Sequence, residues 1–290
     1  DVQALLNDTV KRVEKHPRIQ VHTRSHVVHA HGEVGAFATV VEGPENRVLQ
    51  LEHGVAILAT GGTEAPVPPS PQGAGAAVLT QSEVERRLAD GRLDAALLDT
   101  VVMIQCVGSR QEPRNYCSRV CCATALKHAL LIQERNPQAS LFVLHRDMMT
   151  TGFSEAAFTR ARAAGVIFVP YPVDRPPRVE TAGAGVTVTL DEPVLGRPLE
   201  IEAQLVILAT GIVPVFPREL AEVFGVRRDR DGFFEEAETK WRPVDSLKEG
   251  VFACGLVLSP RSIAESIATA EAAAQRALRI LSRERLAAGK

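Results

Sequence analysis

The stretch Gly54-Val-Ala-Ile-Leu-Ala-Thr-Gly-Gly62 returns almost letter for letter as Leu205-Val-Ile-Leu-Ala-Thr-Gly211. Each copy is a short apolar run with no alternation, as expected of a strand covered on both faces, and each runs straight into glycine. Between them, Thr100–Gln105, Ser140–His145 and Val166–Tyr171 read as strands. They are separated by helical stretches from Ser118 to Arg135 and from Ser154 to Ala164. Strand, helix, strand, helix, strand at these spacings predicts a parallel α/β unit. The repeat therefore brackets a complete α/β layer.

Outward from this unit the pattern changes. Val2, Leu5, Leu6, Val10 and Val13 have helical spacing that ends at His16-Pro17. Ile19–Thr23, Val27–Ala30, Ala36–Glu42 and Val48–Glu52 then alternate as a β-meander should. The four histidines at 22, 26, 29 and 31 fall within it, where alternation sends neighbours to opposite faces and argues against a metal site. The proline-rich 64–77 segment predicts a crossing between domains, after which Thr80 or Ser82 can cap a helix. Val186–Leu190 and Leu199–Ala203 predict an antiparallel flap. Gly250-Val-Phe-Ala-Cys-Gly255 predicts a buried strand, and an Ala-rich helix follows, capped at Ser259 or Ser262.

The fold class this implies is α/β, with two dinucleotide-binding-type domains. Residues 1–75 form the first part of a flavin-type domain, 76–212 an inserted nicotinamide-type domain, and 213–290 the return segment. Small Ala-Thr-Gly turns let backbone approach a dinucleotide closely. Ala59, Thr60, Gly61, Gly62, Thr210, Gly211 and Gly255 are accordingly the candidate cofactor-binding residues. The Gly-x-Gly-x-x-Gly turn that seats a pyrophosphate occurs nowhere in the chain, and Gln105-Cys-Val-Gly-Ser-Arg110 stands where a nicotinamide domain would carry it. Hydride exchange with a nicotinamide is therefore disfavoured at that place.

Composition narrows the function classes. The 290 residues are 45% hydrophobic and 23% charged, with 33 Lys and Arg against 35 Asp and Glu. A net charge of −2 without a basic block offers nothing to a phosphate backbone or an anionic membrane, and no apolar run approaches a bilayer span. The start at Asp1 reads as that of a fragment. Four of the five cysteines, Cys106, Cys117, Cys121 and Cys122, cluster rather than spreading as a secreted disulfide framework would. That clustering points to a metal in a reducing, cytoplasmic compartment.

On a helix, Cys117 and Cys121 share a face, Cys122 is rotated by about 100°, and Cys106 arrives from a strand end. The count suits a four-iron four-sulfur cluster. A zinc site, which favours Cys-x2-4-Cys knuckles in two separated pairs, and metal-free buried or redox-active thiols remain open alternatives. Cys254 reads as a small core residue. Trp241 and Pro243 read as an interdomain packing corner.

Ile104-Gln-Cys-Val-Gly-Ser-Arg110, Tyr116-Cys-Ser-Arg-Val-Cys-Cys122, His145-Arg-Asp147 with Thr151-Gly152, and Gly250–Gly255 leading to Ser259-Pro-Arg-Ser-Ile263 resemble the A subunit of heterodisulfide reductase and its bacterial relatives, the HdrA-like family. The similarity extends to Leu79-Thr-Gln-Ser-Glu-Val-Glu85 and Glu238-Thr-Lys-Trp-Arg-Pro-Val244. It implies a thioredoxin-reductase-like core with FAD and iron-sulfur clusters. It also implies a complex that passes or bifurcates electrons among partner subunits, ferredoxin or a hydrogenase or dehydrogenase, and a disulfide substrate. The FAD fingerprint would then lie upstream of Asp1, so the chain alone is expected to hold FAD weakly or not at all.

Two positions depart from the relatives' pattern. Leu256 stands where an Asp commonly contacts the flavin, and Arg261, a candidate cofactor residue, stands where a Lys is common. Lys127, five residues after Cys122, faces either solvent or the interdomain cleft, where its ammonium would stabilise negative charge on reduced flavin. The resemblance supports a Lys at this offset from the double cysteine, and Lys127 is the candidate catalytic residue. The alternatives are an NAD(P)H-dependent FAD disulfide reductase and a non-enzymatic scaffold with structural zinc.

Overall fold

The spacing of apolar residues before Pro17 does form a helix, α1 (Val2–Lys15), but all of its side chains are exposed. A computed structural model describes residues 2–67, 77–182, 185–192 and 196–287; most of the proline-rich crossing lies outside them. The meander has three strands rather than four: β1 (His26–Glu33), β2 (Ala36–Glu42) and β3 (Val48–His53), antiparallel in that order. Ile19 and Val21 alternate as a strand would, yet both are exposed and no strand forms there. In β2 alternation does its expected work, burying Phe37, Thr39 and Val41 on one face.

The chain continues through β4 (Ala56–Leu58), β5 (Gly62–Glu64), β6 (Val78–Thr80), α2 (Gln81–Ala89), β7 (Thr100–Ile104) and α3 (Cys121–Arg135). Next come β8 (Ser140–His145), α4 (Ser154–Ala163), β9 (Ile167–Pro170), β10 (Arg178–Ala182), β11 (Gly185–Glu192) and β12 (Arg197–Ala203). Last are β13 (Leu205–Leu208), β14 (Ile212–Pro214), α5 (Arg218–Phe224), β15 (Val251–Ala253) and α6 (Ile263–Ala287). Thr80 caps α2 in a reciprocal box with Glu83, a motif that contributes about 1 kcal/mol.

The α/β unit is a five-stranded parallel sheet in the order β6-β13-β7-β8-β9. Period-two alternation sorts its side chains into two cores. Val101, Met103, Leu205 and Ile207 join Leu126, Ala129 and Ile132 of α3 on one side. Val102, Ile104, Val206 and Leu208 join Val179, Val188 and Ile201 of the antiparallel sheet β10-β11-β12 on the other. The flap thus has three strands. Each side chain buried this way contributes about 1.5–3 kcal/mol. β7 leads through α3 to β8 on one side while β13 lies on its other side, so the crevice beyond their carboxyl ends is where the strand order changes direction and such sheets bind ligands.

A third core combines both chain ends. Phe37 and Leu58 pack with Phe216, Phe224, Phe234, Phe252, Ala273 and Ala277. Cys254 belongs to it as expected, whereas Trp241 is 82% exposed and packs no corner. β4 pairs in parallel with β15 but is not covered on both faces, because Ile57 is 42% exposed while Leu58 is buried.

The repeat has a structural meaning that neither copy shows alone. Each Ala-Thr-Gly turn delivers one strand of a two-stranded ribbon, β5 and β14, paired antiparallel. Ala65 N–H donates to Gly211 O at 2.9 Å, and Val215 N–H to Gly61 O at 3.0 Å. The two turns therefore lie across from each other where the chain passes between its cores.

Candidate metal centre

Past Ile104, the buried Gln105 leads into Cys106, whose positive φ of 58° turns the chain off the sheet. Val107 N–H donates to Ala209 O at 2.9 Å, which ties this turn to the second Ala-Thr-Gly. The following loop is clasped onto β14. Ser118 Oγ accepts from Ile212 N–H at 2.8 Å, Tyr116 Oη donates to Ile212 O at 2.8 Å, and Arg114 Nη1 to Thr210 O at 3.1 Å. With Ser118 held there, α3 begins at Cys121 rather than at Ser118, so Cys117 sits on the loop and not on a helical face with Cys121.

The loop also reaches the start of α6. Arg119, at φ 61°, donates to Pro260 O at 3.4 Å and pairs with Glu265. Glu265 and Ser262 form the reciprocal cap of α6, so Ser262, not Ser259, opens that helix. Together these contacts hold the cysteine loop at the joint between the parallel sheet and α6.

Burial dominates the electrostatics of three of the thiols. Burial pushes Cys121 up to about 12 and Cys122 to about 11, and it raises Cys106 too, with the other thiols adding repulsion. Arg110 beside Cys106 works in the opposite direction. Such thiols stay protonated unless a cation compensates them.

Three features fit a polynuclear cluster. The donor set is all sulfur, and soft thiolates select iron-sulfur clusters and zinc. Arg119 N–H already donates to Cys117 Sγ at 3.3 Å, and Arg110 Nη1 is buried without a partner. The first turn of α3 has no side-chain cap. A single zinc would need sulfurs about 3.8 Å apart, from a Zn–S bond near 2.3 Å. Among the described residues no three His, Cys, Asp or Glu side chains are grouped tightly enough to hold one ion.

The candidate cofactor residues divide. Ala59 and Thr60 are exposed, and beside Gly61, at φ 80°, there is open space. Thr210 is fully buried and donates to Ala65 O at 2.7 Å, so its side chain binds the joint and touches no ligand. At Gly211 the close approach comes from within the protein, since a Cβ would meet Ser118 Oγ at 2.5 Å. Gly62 is packed against Val213 O, and Gly255 N–H donates to Thr269 Oγ1 at 3.0 Å. A 3-10 turn separates Gly255 from α6, so the strand does not feed the helix directly. Arg261 is half-buried and donates to Ser259, and burial lowers its pKa.

Lys127 is 62% exposed and is held by Glu85 at 2.6 and 2.7 Å. With Arg119, Thr124, Ser262 and Glu265 it lines an open cavity of about 650 Å³ between α3 and the start of α6. Glu85 also meets the buried His128 at 2.8 Å, and these two partners draw its pKa down to about 2. Sequence reading missed Glu85, His128 and the Arg114–Tyr116–Ser118 clasp. Glu85, Tyr116 and Ser118 lie inside the quoted motifs and Arg114 and His128 outside them, and the partners are about 40 and 95 positions away.

No protein-family model matches the chain. It is 36% identical over 206 residues to the A subunit of the ferredoxin:CoB-CoM heterodisulfide reductase of Methanosarcina acetivorans, covering 68% of this chain and 25% of that protein. It is 35% identical over 241 residues to an A-subunit-like heterodisulfide reductase protein of Archaeoglobus profundus, covering 80% and 33%. The chain belongs with the A-subunit-like sequences of heterodisulfide reductase. A further relative, 35% identical over 185 residues (61% and 28%), is the second iron-sulfur A subunit of the CoB-CoM heterodisulfide reductase of Methanopyrus kandleri. The chain thus spans about a quarter to a third of the length of these relatives. Among solved structures it resembles T. acidophilum thioredoxin reductase (TM-score 0.58, 15% identity, 98% and 80% covered). It also resembles LpdA of Mycobacterium tuberculosis (TM-score 0.63, 18% identity, 97% and 53% covered). The fold of this HdrA-like chain is that of the thioredoxin-reductase-like flavoproteins.

Proposed function

We propose that Cys106, Cys117, Cys121 and Cys122 hold one four-iron four-sulfur cluster in an FAD-dependent electron-transfer oxidoreductase of the heterodisulfide reductase A type. The observation that carries this is the cysteine loop held by Ser118, Tyr116 and Arg119 at the joint between the parallel sheet and α6. When bound, the cluster supplies a one-electron relay. Arg119 N–H and Arg110 would donate toward its sulfurs, and Ser118 and Tyr116 fix the loop that carries Cys117.

Ala59, Thr60 and Gly61, which face open space, would hold FAD, with Gly62, Gly255 and Arg261 as further candidate contacts. Lys127, positioned by Glu85, holds positive charge in the cavity between α3 and α6. Residues 1–75 and 213–290 form one domain and 76–212 the other, in keeping with cores that draw on those segments. The partners are further heterodisulfide reductase-type subunits and a ferredoxin, hydrogenase or dehydrogenase, between which electrons pass or bifurcate. The compartment is the cytoplasm; among the described residues no helix is long and apolar enough to cross a membrane.

Anaerobic reconstitution tests the ligand set. The protein should take up iron and sulfide and turn brown, Cys121→Ser should lose most of the iron, and Cys254→Ser should retain it. Equal iron in every single variant would overturn the assignment.

A further inference from the structure

The outward face of the meander carries side chains that neither the cluster nor the flavin uses. Strict alternation along β1 would place Val27, His29 and His31 on one face, and Val27 packs against the third core. The pairing of β1 with β2 shifts between Val27 and His29, however. Val27 lies opposite Val41 and His29 opposite Val40, so Val28 has no partner across the ladder. This β-bulge reverses the phase of everything that follows it. Ala30 turns in toward the core, and His29 and His31 turn out, both exposed.

The bulge therefore converts two positions due for burial into a His-x-His pair on the solvent face. The two rings stack with centroids 5.5 Å apart and planes at 29°. Two imidazoles that share one ion, with metal–nitrogen bonds of about 2.1 Å, hold their centroids about 5 Å apart. A small side-chain rotation brings the pair to that spacing. The backbone under it is fixed, because both residues sit in the antiparallel ladder with β2, whose other face is packed.

The surroundings suit a cation. His31 lies opposite Ala38, whose small side chain leaves the space over β2 clear, and Glu52 of β3 lies opposite Ala38 on its other side. Glu42 faces the same way at the other end of the row, where it holds His26 at 3.2 Å. Among the described residues no third His, Cys, Asp or Glu is grouped closely enough to complete the pair, which leaves positions for water.

We propose that His29 and His31 chelate one divalent transition-metal ion of the nickel, copper or zinc kind on the solvent face of the meander, with water in the remaining positions. Imidazole suits these ions, and the site offers no sulfur, so its chemistry differs from that of the four cysteines. It depends on neither iron nor flavin, and its failure leaves the cluster reading standing.

NMR of the whole 290-residue protein, with isotopically labelled histidine and no appended histidines, tests this by titration with Ni²⁺. The paramagnetic ion should broaden two ring C–H signals together, the ones missing from His29→Gln and from His31→Gln. Nickel held by cysteines would broaden other rings, so the readout is specific to the pair. Either substitution should weaken binding, read on the remaining ring, by about tenfold or more, since loss of even an outer-shell partner costs about 10–100-fold. His26→Gln removes only the ring that Glu42 holds and should leave the titration unchanged. All three positions are exposed, so the variants should fold as the parent does. Signals of His29 and His31 that stay sharp at several equivalents of Ni²⁺, broadening of one ring that survives loss of the other, or a loss in His26→Gln equal to that in His29→Gln would overturn the proposal.

Discussion

Arg110 is where one side chain decides the most about the proposed cluster. Its guanidinium is anchored by Asp147 at 2.6 Å, aims at Cys106 and keeps one buried nitrogen unpartnered. Hydrogen bonds to cluster sulfurs raise the reduction potential. Arg110→Met should therefore lower the potential of the reconstituted cluster, read by redox titration, with iron content unchanged, and Arg110→Lys should recover part of the shift. Glu85 acts through charge as well. Its folded pKa, about 2, lies below the ordinary 4.5, so the unfolded chain takes up the proton first. The stability it confers is present in full above about pH 4.5 and is lost as pH falls toward 2. Glu85→Gln should flatten that part of the stability profile, and a slope equal to that of the parent would remove Glu85 from the account. In flavin-loaded protein, Lys127→Met should shift the flavin potential downward without loss of iron; an unchanged potential would return Lys127 to the solvated face.

At the scale of elements, the ribbon of β5 and β14 explains why the Ala-Thr-Gly sequence occurs twice. Gly211 combines a φ of 87° with Ser118 Oγ 2.5 Å from where a Cβ would stand, whereas Gly61, at φ 80°, has nothing within 4 Å. Gly211→Ala should cost about 2–3 kcal/mol and Gly61→Ala about 1 kcal/mol in urea unfolding, because only the first adds a clash to the backbone strain. Much of this level was legible. Buried apolar runs marked β7, β8 and β13, and Thr80, one of two candidate caps, marked the start of α2. The misses share a cause. The start of α3 moved to Cys121 because Ser118 is engaged by Ile212, 94 positions away, and the apolar pattern at Ile19–Thr23 found no neighbouring strand to pair with. Periodicity reports local preference, and these positions were settled by long-range partners.

For the whole molecule, the third core joins the two chain ends, and one buried carboxylate reinforces it. Asp245 is almost fully buried and is held by Arg276 at 2.6 Å and by Arg242 at 3.4 Å. Asp245→Ala leaves these guanidinium groups without their carboxylate and should destabilise by about 3 kcal/mol or more in thermal unfolding. Arg276 comes from α6, so the loss should show first as weakened protection of that helix in amide exchange. The four-cysteine motif was fully visible in the sequence, and so was its link to the family. What was not visible is that the motif is held on one side by β14 and on the other by the start of α6. The measurement that most directly tests the central claim is iron and acid-labile sulfide per chain in the anaerobically reconstituted protein, with Mössbauer spectroscopy on the same sample. The account predicts about four iron and four sulfide in a single cubane species, lost together when Cys106, Cys117, Cys121 or Cys122 is replaced. One bound zinc per chain, or iron that persists in those variants, would contradict it.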